Sequence, residues 1–377
     1  METKRKYPAV IMNREAIYDN ASMMVNWCEE NGIFVAAVIK GFNAMRAGCE
    51  EEVRAGAKML ASSRLEHLQA IKEMGLKTVS GADVPTLLIR MPMLSEIDDV
   101  IKYADYSLNS EIVTLEALSA AATAAGKTHS VILMTDLGDL REGWMSEDDL
   151  IAAARLTEQL PGLYLAGIGT NLGCVGSITP TKDKMEELAA RATKIEEAIS
   201  RPLDIVSGGA STSLMPMFDG EMPSKINMLR IGEGIPISLR DQLGTTHDRY
   251  PIGELRQDCV TLAAEIIELN TKPTYPIGEI GCDAFGRKRE YIDRGERKRV
   301  ILAVGRADYG DTYDIIPRLE GATIWGASSD HTILDIEDVD PAIRDNLKIG
   351  DILTFKLRYA AMLHLTSNST SVHQYEE

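Results

Sequence analysis

Eight short apolar runs, each ending in small or polar residues, recur between residues 34 and 232 of this 377-residue chain. Segments rich in Ala and Glu separate them, for example 113–125 and 182–199. Such runs are typical of strands buried on both faces, and strands that alternate with helices specify a parallel sheet. Eight units predict an α/β fold built on a closed (β/α)8 barrel rather than an open doubly wound sheet. The runs begin at Phe34, Met59, Leu87, Tyr106, Val131, Leu163, Asp204 and Met228.

The pattern changes near residue 245, where strand signals follow one another without helices between them. This favours a second, mostly antiparallel β domain. We therefore predict a barrel domain over residues 1–240 and a C-terminal β domain over residues 245–377. The apolar run 8–12 precedes the first barrel strand, and the sequence leaves open whether it joins the second domain. The predicted strands of the second domain are 260–270, 298–307, 323–336, 351–357 and 361–367.

Composition narrows the class of protein. The chain has 57 acidic and 40 basic residues, and the resulting net charge of −17 argues against non-specific nucleic-acid binding. The five cysteines are scattered without a CxxC pair, so neither a disulfide framework nor a zinc site is indicated. Because no long apolar stretch is present, and no apolar segment follows the basic start, we expect a cytoplasmic protein without a membrane span.

Lys40 lies at the end of the first apolar run and is followed at once by Gly41. The ammonium of a lysine at the end of a buried strand is costly to desolvate, so such a lysine usually does chemistry or pairs with a charge. In (β/α)8 barrels the active site lies at this end of the strands, and a desolvated lysine there can form a Schiff base. The plainer alternative is a lysine that reaches into solvent. The same reasoning places at this end of the barrel Arg64, Arg90, Asn109, Asp136, Asn171, Ser207 and Arg230.

Two glycine-rich loops follow the seventh and eighth strands. Residues 207–213 are Ser-Gly-Gly-Ala-Ser-Thr-Ser, and residues 230–234 are Arg-Ile-Gly-Glu-Gly. Glycines let backbone amides approach an anion, hydroxyls add donors, and this fold commonly binds phosphate at these two loops. Either loop alone could be a plain tight turn as easily as a phosphate-binding loop, but the two loops together predict a phosphate site. A third segment, 136–143, would on its own be interpreted as a solvated charged turn.

Together these residues resemble the fold-type III pyridoxal-phosphate family typified by alanine racemase, and within it the ornithine racemase-like branch. The segments 60–66, 136–143 and 326–331 look like those of that branch, and the resemblance covers nearly the whole chain. It implies a pyridoxal 5'-phosphate-dependent racemase. Such an enzyme would interconvert the L and D forms of a basic amino acid, ornithine or lysine, by two-base proton transfer.

The resemblance also implies roles for individual residues. Lys40 would carry the cofactor as a Schiff base and act as one of the two bases. Arg230 would face the pyridine nitrogen; an arginine cannot give up its proton, so it weakens the ring as an electron sink, which suits racemisation. The phosphate would be bound by Ser211, Gly232, Glu233 and Tyr359, the phenolic oxygen would be approached by Arg141, and Asn171 stands where these racemases usually have histidine.

The chain departs from alanine racemases at three positions. Ala44 replaces a tyrosine, and Met134 replaces a lysine that some of these enzymes carbamylate. Phe285 stands where a tyrosine from the partner subunit serves as the second base, and phenylalanine cannot move a proton. If this segment is a strand, Asp283 shares the face of Phe285, which makes Asp283 the candidate catalytic residue. The alternatives are Cys282, His331 and Tyr309.

Substrate and assembly are implied by the resemblance as well. Ser329, Asp330 and His331 would contact the substrate, and an acidic rim of Asp283, Asp308 and Asp330 would suit a distal amine. Alternatively, these aspartates cap turns. The active site would be shared between the subunits of a homodimer. Other activities left open are racemisation of another amino acid such as alanine, and decarboxylase or aldolase chemistry on the same scaffold; a cofactor carrier would generally lack the second domain.

Overall fold

The computed structural model describes residues 5–237 and 250–377, and these residues form two compact units. One unit contains residues 14–256, and the other contains residues 5–13 together with residues 257–377. The boundary predicted between residues 240 and 245 lies outside the described residues. Residues 250–256, which the sequence assigned to the second domain, belong to the first unit.

The first unit contains a closed barrel of eight parallel strands, which confirms the predicted fold class. The barrel closes where its first strand pairs with its last, with Ala36 opposite Arg230. The barrel strands are β2 (Phe34–Val38), β3 (Met59–Ser62), β4 (Thr86–Leu88), β5 (Tyr106–Asn109), β6 (His129–Met134), β7 (Leu163–Gly169), β8 (Ile205–Ala210) and β9 (Met228–Ile231).

Helices connect the barrel strands. One helix start can be read from the sequence: Ser146 accepts a hydrogen bond from the Asp149 amide (3.2 Å), and acidic residues fill the first turn of the helix that follows. Within the described residues, no helix has the length and apolar character needed to cross a membrane. The helices are α1 (Arg14–Glu30), α2 (Arg46–Arg54), α3 (Leu65–Met74), α4 (Ile97–Tyr103), α5 (Ile112–Ala124), α6 (Glu147–Gln159), α7 (Lys182–Ile199) and α8 (Leu214–Phe218).

Alternate strand residues fill the barrel interior, because successive side chains of a strand point to opposite faces. The interior cluster includes Leu108 of β5 and Met228 of β9, with Ile89 packed against it. Arg90 and Asn109 follow interior residues directly and therefore face away from the barrel axis. Arg90 pairs with Glu96 (2.6 Å), and Asn109 donates to the Ser107 carbonyl oxygen (2.9 Å). Both residues thus lie at or just after the carboxyl ends of their strands, where the sequence predicted them, but their side chains do not enter the barrel interior.

The second unit is built around one sheet. Strand β1 (Ala9–Met12) pairs with β10 (Val260–Pro273) and β16 (His373–Glu376), so the apolar run 8–12 belongs to this sheet and not to the barrel. The other strands lie in the order β12-β15-β10-β11-β14-β13, and these neighbours are antiparallel. They are β11 (Glu296–Leu302), β12 (Ile315–Pro317), β13 (Thr323–Ala327), β14 (Thr332–Asp335) and β15 (Ile352–Leu357).

Four predictions for this unit are wrong. The strand expected at 361–367 is a helix, α11 (Tyr359–Ser367), because its buried residues Ala361, Met362, Leu365 and Thr366 recur with helical spacing. The strand expected at 298–307 ends at Leu302, and that expected at 323–336 is two strands. The strands are also not free of intervening helices, since α9 (Arg306–Tyr309) and α10 (Pro341–Arg344) lie between them.

Gly167→Ala should destabilise the barrel. A Cβ at Gly167 of β7 would lie 1.9 Å from the Ile205 carbonyl oxygen of β8, and backbone cannot yield as a flexible side chain can. We expect the free energy of unfolding to fall by about 1–3 kcal/mol or more. Gly253→Ala is the control, because a Cβ there meets nothing within 4 Å; it should be neutral or stabilising by up to about 1 kcal/mol. Equal urea midpoints for the two variants would contradict the prediction.

Candidate active site

Lys40 lies in a tight turn directly after β2. The turn is a 3-10 helix over Ile39–Phe42, and the Phe42 side chain is fully buried. Gly48 makes room for that ring, since a Cβ at Gly48 would lie 2.6 Å from it. Burial lowers the pKa of Lys40, and the positive charge of Arg141 lowers it further. Within the described residues, the Lys40 ammonium has no ion-pair partner.

Arg230 is a buried cation next to the Lys40 turn in the barrel. Its guanidinium donates to Ser207 Oγ and to the Thr170 carbonyl oxygen (2.9 Å). Burial lowers the pKa of Arg230 to about 10, so the group still carries its charge at neutral pH. No carboxylate of the described residues contacts it, and a buried charge without a counter-ion favours a nearby electron-rich ligand atom.

The two glycine-rich loops meet at Ser211. The Ser211 hydroxyl oxygen accepts hydrogen bonds from the amides of Gly232 (3.0 Å) and Gly234 (3.4 Å). Because its oxygen accepts from both amides, the Ser211 hydroxyl keeps its own proton to donate to an anion such as a phosphate group. Gly209 shapes this loop: its φ is +115°, and a Cβ there would lie 2.7 Å from Ser213 Oγ.

Segment 136–143 is an ordered turn and not the solvated one that its charges suggest. Asp136 is buried and accepts a hydrogen bond from the Gly138 amide (2.7 Å). Asp139 is also buried, and its Oδ1 accepts from the Cys174 amide (3.2 Å) in the loop after β7. The loops that follow β6 and β7 are thus fastened to each other.

This turn brings Arg141 to the same end of the barrel as Lys40. Arg141 forms an ion pair with Glu142, which raises the pKa of Arg141. Its Nη1 also donates to Cys174 Sγ (3.1 Å). Glu142 and Cys174 are the residues that the sequence analysis missed. Cys174 is distant from Arg141 in the chain, and only the contact between the two loops reveals it.

Asn171 is buried two residues after β7. Its Nδ2 is inaccessible to solvent and has no hydrogen-bond partner among the described residues. An unpaired buried amide donor is rare in proteins, because it has lost its bonds to water without replacement. A ligand with an acceptor at this position would satisfy the Asn171 amide.

The remaining predicted residues belong to the second unit. Asp283 does not lie in a strand, so the argument that it shares a strand face with Phe285 is wrong. Instead, Asp283 Oδ1 accepts from the amides of Phe285 (2.9 Å) and Arg287 (2.9 Å) and holds a turn between β10 and β11. These hydrogen bonds lower the pKa of Asp283, with the Arg287 amide contributing most. The Asp283 carboxylate is therefore ionised at neutral pH.

Two residues that the sequence offered for the site are part of the interior of the second unit. Tyr309 is fully buried, its hydroxyl bonds to Thr332 Oγ1 (2.7 Å), and burial raises its pKa to about 12. Asp308 is buried as well; it accepts from the Gly305 amide (3.0 Å) and from the Ser371 hydroxyl (2.6 Å). Tyr309 cannot reach a substrate as a base, and Asp308 is a capping residue rather than part of an acidic rim.

The loop between β13 and β14 exposes Ser329, Asp330 and His331. The loop is closed by a hydrogen bond from the Ser328 amide to the His331 carbonyl oxygen (2.9 Å). Cys282 is also exposed, whereas Tyr359 begins α11 and is half-buried. Cys282 and His331 therefore stay candidates for the second base.

Residues 12–236 match the family described as alanine racemase, N-terminal domain. The chain is 39% identical to an ornithine racemase of Acetoanaerobium sticklandii over 95% of its length and 96% of that protein. It is 34% identical to a lysine racemase of Thermotoga maritima, covering 98% and 99% of the two chains. An alanine racemase structure from Streptomyces lavendulae has the same fold, with a TM-score of 0.74, 16% identity and coverage of 99% and 98%.

Lys40→Met should stabilise the protein freed of any bound ligand, and the gain should depend on pH. Because the pKa of Lys40 is lowered on folding, the unfolded chain binds the proton more tightly, and this opposes folding below the lowered pKa. As the pH rises towards about 10.4, the pKa of a free lysine, the wild type loses the destabilisation that the buried ammonium causes. Urea unfolding should show that Lys40→Met raises the free energy of unfolding at pH 7, and that this increase is smaller at pH 10. The exposed Lys182→Met is the control, and an identical pH trend in both variants would contradict the prediction.

Proposed function

This chain belongs to the alanine racemase family and is a racemase, and on this basis we propose that it interconverts the L and D forms of a basic amino acid, ornithine first and lysine second. The observation that carries the proposal is similarity over nearly the full length to an ornithine racemase and a lysine racemase. Ala44 and Phe285, at positions where alanine racemases have tyrosines, agree with a substrate other than alanine.

The barrel residues fit pyridoxal 5'-phosphate. Lys40 offers an amine without an ion-pair partner among the described residues, and the Ser211 hydroxyl, whose oxygen accepts from the Gly232 amide, can donate its own proton to a phosphate. Arg230 and the Nδ2 of Asn171 supply a buried charge and an unused donor for the ring. When bound, this cofactor withdraws electrons from the amino acid and makes the proton on its α-carbon acidic.

Lys40 is proposed to hold the cofactor and then to move the α-proton on one face of the substrate. Burial and the charge of Arg141 lower the pKa of Lys40, so its amine loses a proton more easily than a free lysine does. Cys174 and Glu233 act in the opposite direction on the same pKa. The net effect lowers the pKa of Lys40, which helps its amine to accept and return a proton.

Arg230 is proposed to face the pyridine nitrogen. Its two hydrogen bonds, to Ser207 and Thr170, fix the guanidinium in the barrel interior. An arginine does not transfer its proton to a pyridine nitrogen, so the ring stays a moderate electron sink. This limits side reactions and suits proton exchange at one carbon. Arg141 is proposed to approach the phenolic oxygen, and Glu233 and Tyr359 to complete the phosphate site.

A basic substrate carries a distal ammonium, and we assign its recognition to Asp283. The Asp283 carboxylate already accepts two backbone amides through Oδ1, and the lowered pKa keeps it charged at neutral pH. An ionised carboxylate attracts a cation but is a poor proton donor. The exposed Ser329, Asp330 and His331 are proposed to contact the substrate too, and the second base is proposed to be His331 or Cys282.

We propose that the enzyme works as a cytoplasmic homodimer. In this family the second subunit supplies the group that faces the substrate opposite the lysine, and two-fold pairing is the commonest assembly of soluble proteins. No disulfide joins any of the five cysteines within the described residues, which suits a reducing compartment.

The purified protein should take up pyridoxal phosphate, and borohydride reduction should fix the label on Lys40. Peptide mapping locates the label, and chiral chromatography of an amino-acid panel should show racemisation of ornithine fastest, then lysine. Lys40→Ala should lose both the label and all measurable turnover, while Lys58→Ala, on the surface, should keep both. A label on another lysine, or turnover of alanine alone, would overturn the proposal.

Asp283→Asn should weaken recognition of the distal ammonium without slowing the chemistry. We expect the KM for ornithine to rise about tenfold, as for loss of a charge-assisted hydrogen bond. Discrimination against alanine should relax, and α-proton exchange in deuterium oxide at saturating substrate should change little. Asp293→Asn is the matched control, because Asp293 also accepts an amide hydrogen bond of its own turn, from Gly295 (2.9 Å).

A strong slowing of exchange for one enantiomer with an unchanged KM would instead identify Asp283 as the proton-transfer group. If neither quantity changes, Asp283 lies outside the site. Mixed Lys40→Ala and Asp283→Asn chains should be more active at low ornithine than either alone, since hybrid dimers would contain one intact site.

A further inference from the structure

The turn after Lys40 has an unusual backbone. Asn43 and Ala44 both have φ values of +54°, in the left-handed region that residues other than glycine rarely adopt. Asparagine tolerates this region better than most residues, but alanine has no side chain that compensates. The Asn43 amide bonds back to the Lys40 carbonyl oxygen (3.2 Å), so the strained residues close the turn that carries Lys40. Contacts outside the turn must therefore hold it in place.

His67 of α3 makes such a contact. Its Nε2 lies 2.7 Å from Asn43 Oδ1, and its Nδ1 lies 2.8 Å from Ser62 Oγ at the end of β3. Because an amide oxygen can only accept, Nε2 carries the proton, and Nδ1 accepts from the Ser62 hydroxyl. Burial lowers the pKa of His67, which agrees with a neutral ring. The imidazole thus connects the neighbouring barrel strand to the turn.

His67 does not act on the substrate directly. Both of its ring nitrogens are used, and Ser62 faces away from the barrel axis because its neighbour Ala61 belongs to the interior cluster. The contact with Asn43 is therefore the route by which His67 can influence Lys40. The same turn is held from the other side by the buried Phe42 ring against Gly48.

We propose that His67 is a positioning residue that fixes the Lys40 turn through Asn43. The proposal rests on the proposed role of Lys40 as the cofactor-binding lysine. Without this contact the strained turn relaxes, and the Lys40 amine spends less time at the place where the cofactor needs it. Cofactor affinity and kcat fall together, while the KM for the amino acid changes little, because His67 does not touch it.

Two substitutions of His67 separate positioning from general damage. His67→Gln places an amide nitrogen near the position of Nε2 and keeps the bond to Asn43. His67→Asn reaches only the position of Nδ1 and loses that bond. We expect His67→Asn to weaken pyridoxal phosphate binding about tenfold, as for loss of one buried hydrogen bond, and His67→Gln to restore most of the affinity. Absorbance titration of the cofactor-free protein measures this, and the pH titration of the bound cofactor should shift in His67→Asn.

Asn43→Gly is the complementary variant. Glycine adopts the positive φ readily but lacks the side-chain acceptor, so Asn43→Gly should reproduce the defect of His67→Asn. The double variant should be no worse than either single variant, since both remove the same bond. His129→Asn is the control: His129 Nε2 bonds to Ser107 Oγ (2.8 Å) at the opposite end of the barrel strands. It should lower the melting temperature but leave cofactor affinity unchanged.

Hydrogen exchange provides a readout that does not need the cofactor. In the cofactor-free protein, amides of residues 39–45 should exchange faster in His67→Asn and Asn43→Gly than in the wild type or in His129→Asn. Unchanged exchange, or wild-type cofactor affinity with Lys40 labelled, would overturn the positioning role and leave the proposed function standing. If exchange rises as expected but borohydride labels another lysine, the turn is held by His67 and the proposed function fails.

Discussion

The pairing of β2 with β9 is the contact on which the active site depends. It joins the first and last strands of the barrel, with Ala36 opposite Arg230 and Ala37 opposite Ile231. The Lys40 turn extends β2, and the loop with Gly232 extends β9, so a single set of ladder hydrogen bonds brings the candidate lysine and one glycine-rich loop to the same end of the barrel. Neither loop alone contains all the candidate site residues. The cost of closing so long a stretch of chain is offset by the apolar interior that the closed barrel buries.

The electrostatics of this site oppose those of the whole protein. The chain carries a net charge of −17, yet Lys40, Arg141 and Arg230 lie at one end of the barrel. Charges in a buried site interact through a poorly polarisable medium, whereas the acidic surface is screened by solvent and salt. The local arrangement therefore determines what binds. A bound anion would relieve the repulsion among the three cations.

The barrel could be predicted from the sequence because it rests on local patterns, and the same patterns selected the candidate site residues. Apolar runs with polar ends mark the strands, and Lys40, Ser211 and Arg230 follow from strand ends and glycine-rich loops. The orientation of Arg90 and Asn109 could not be predicted, since a shift of one residue turns a side chain to the other face of a strand. The contact of Cys174 with Arg141 depends on how two loops meet, which no local pattern records.

The second unit was predicted less well for a related reason. Its connections are long, and the segment that holds Asp283 has neither strand nor helix. The alternation of side chains along a strand therefore wrongly predicted that Asp283 and Phe285 share a face. Residues 359–367 are apolar enough for a strand, and only their helical spacing reveals α11. The resemblance to a known family supplied the roles of residues in this unit, but it could not distinguish a surface loop from the interior. Tyr309 and Asp308 were misplaced in this way.

The position of β1 has a consequence for how this protein is made. Ala9 precedes the barrel in the chain, but it pairs with Ala263 and His373, which are synthesised after the entire barrel. Pairings between residues so far apart in the chain form late. During translation, β1 is thus a strand without its sheet neighbours, while the barrel that follows it in the chain can already fold. This short apolar segment can therefore form its sheet hydrogen bonds only when the strands of the second unit have been synthesised.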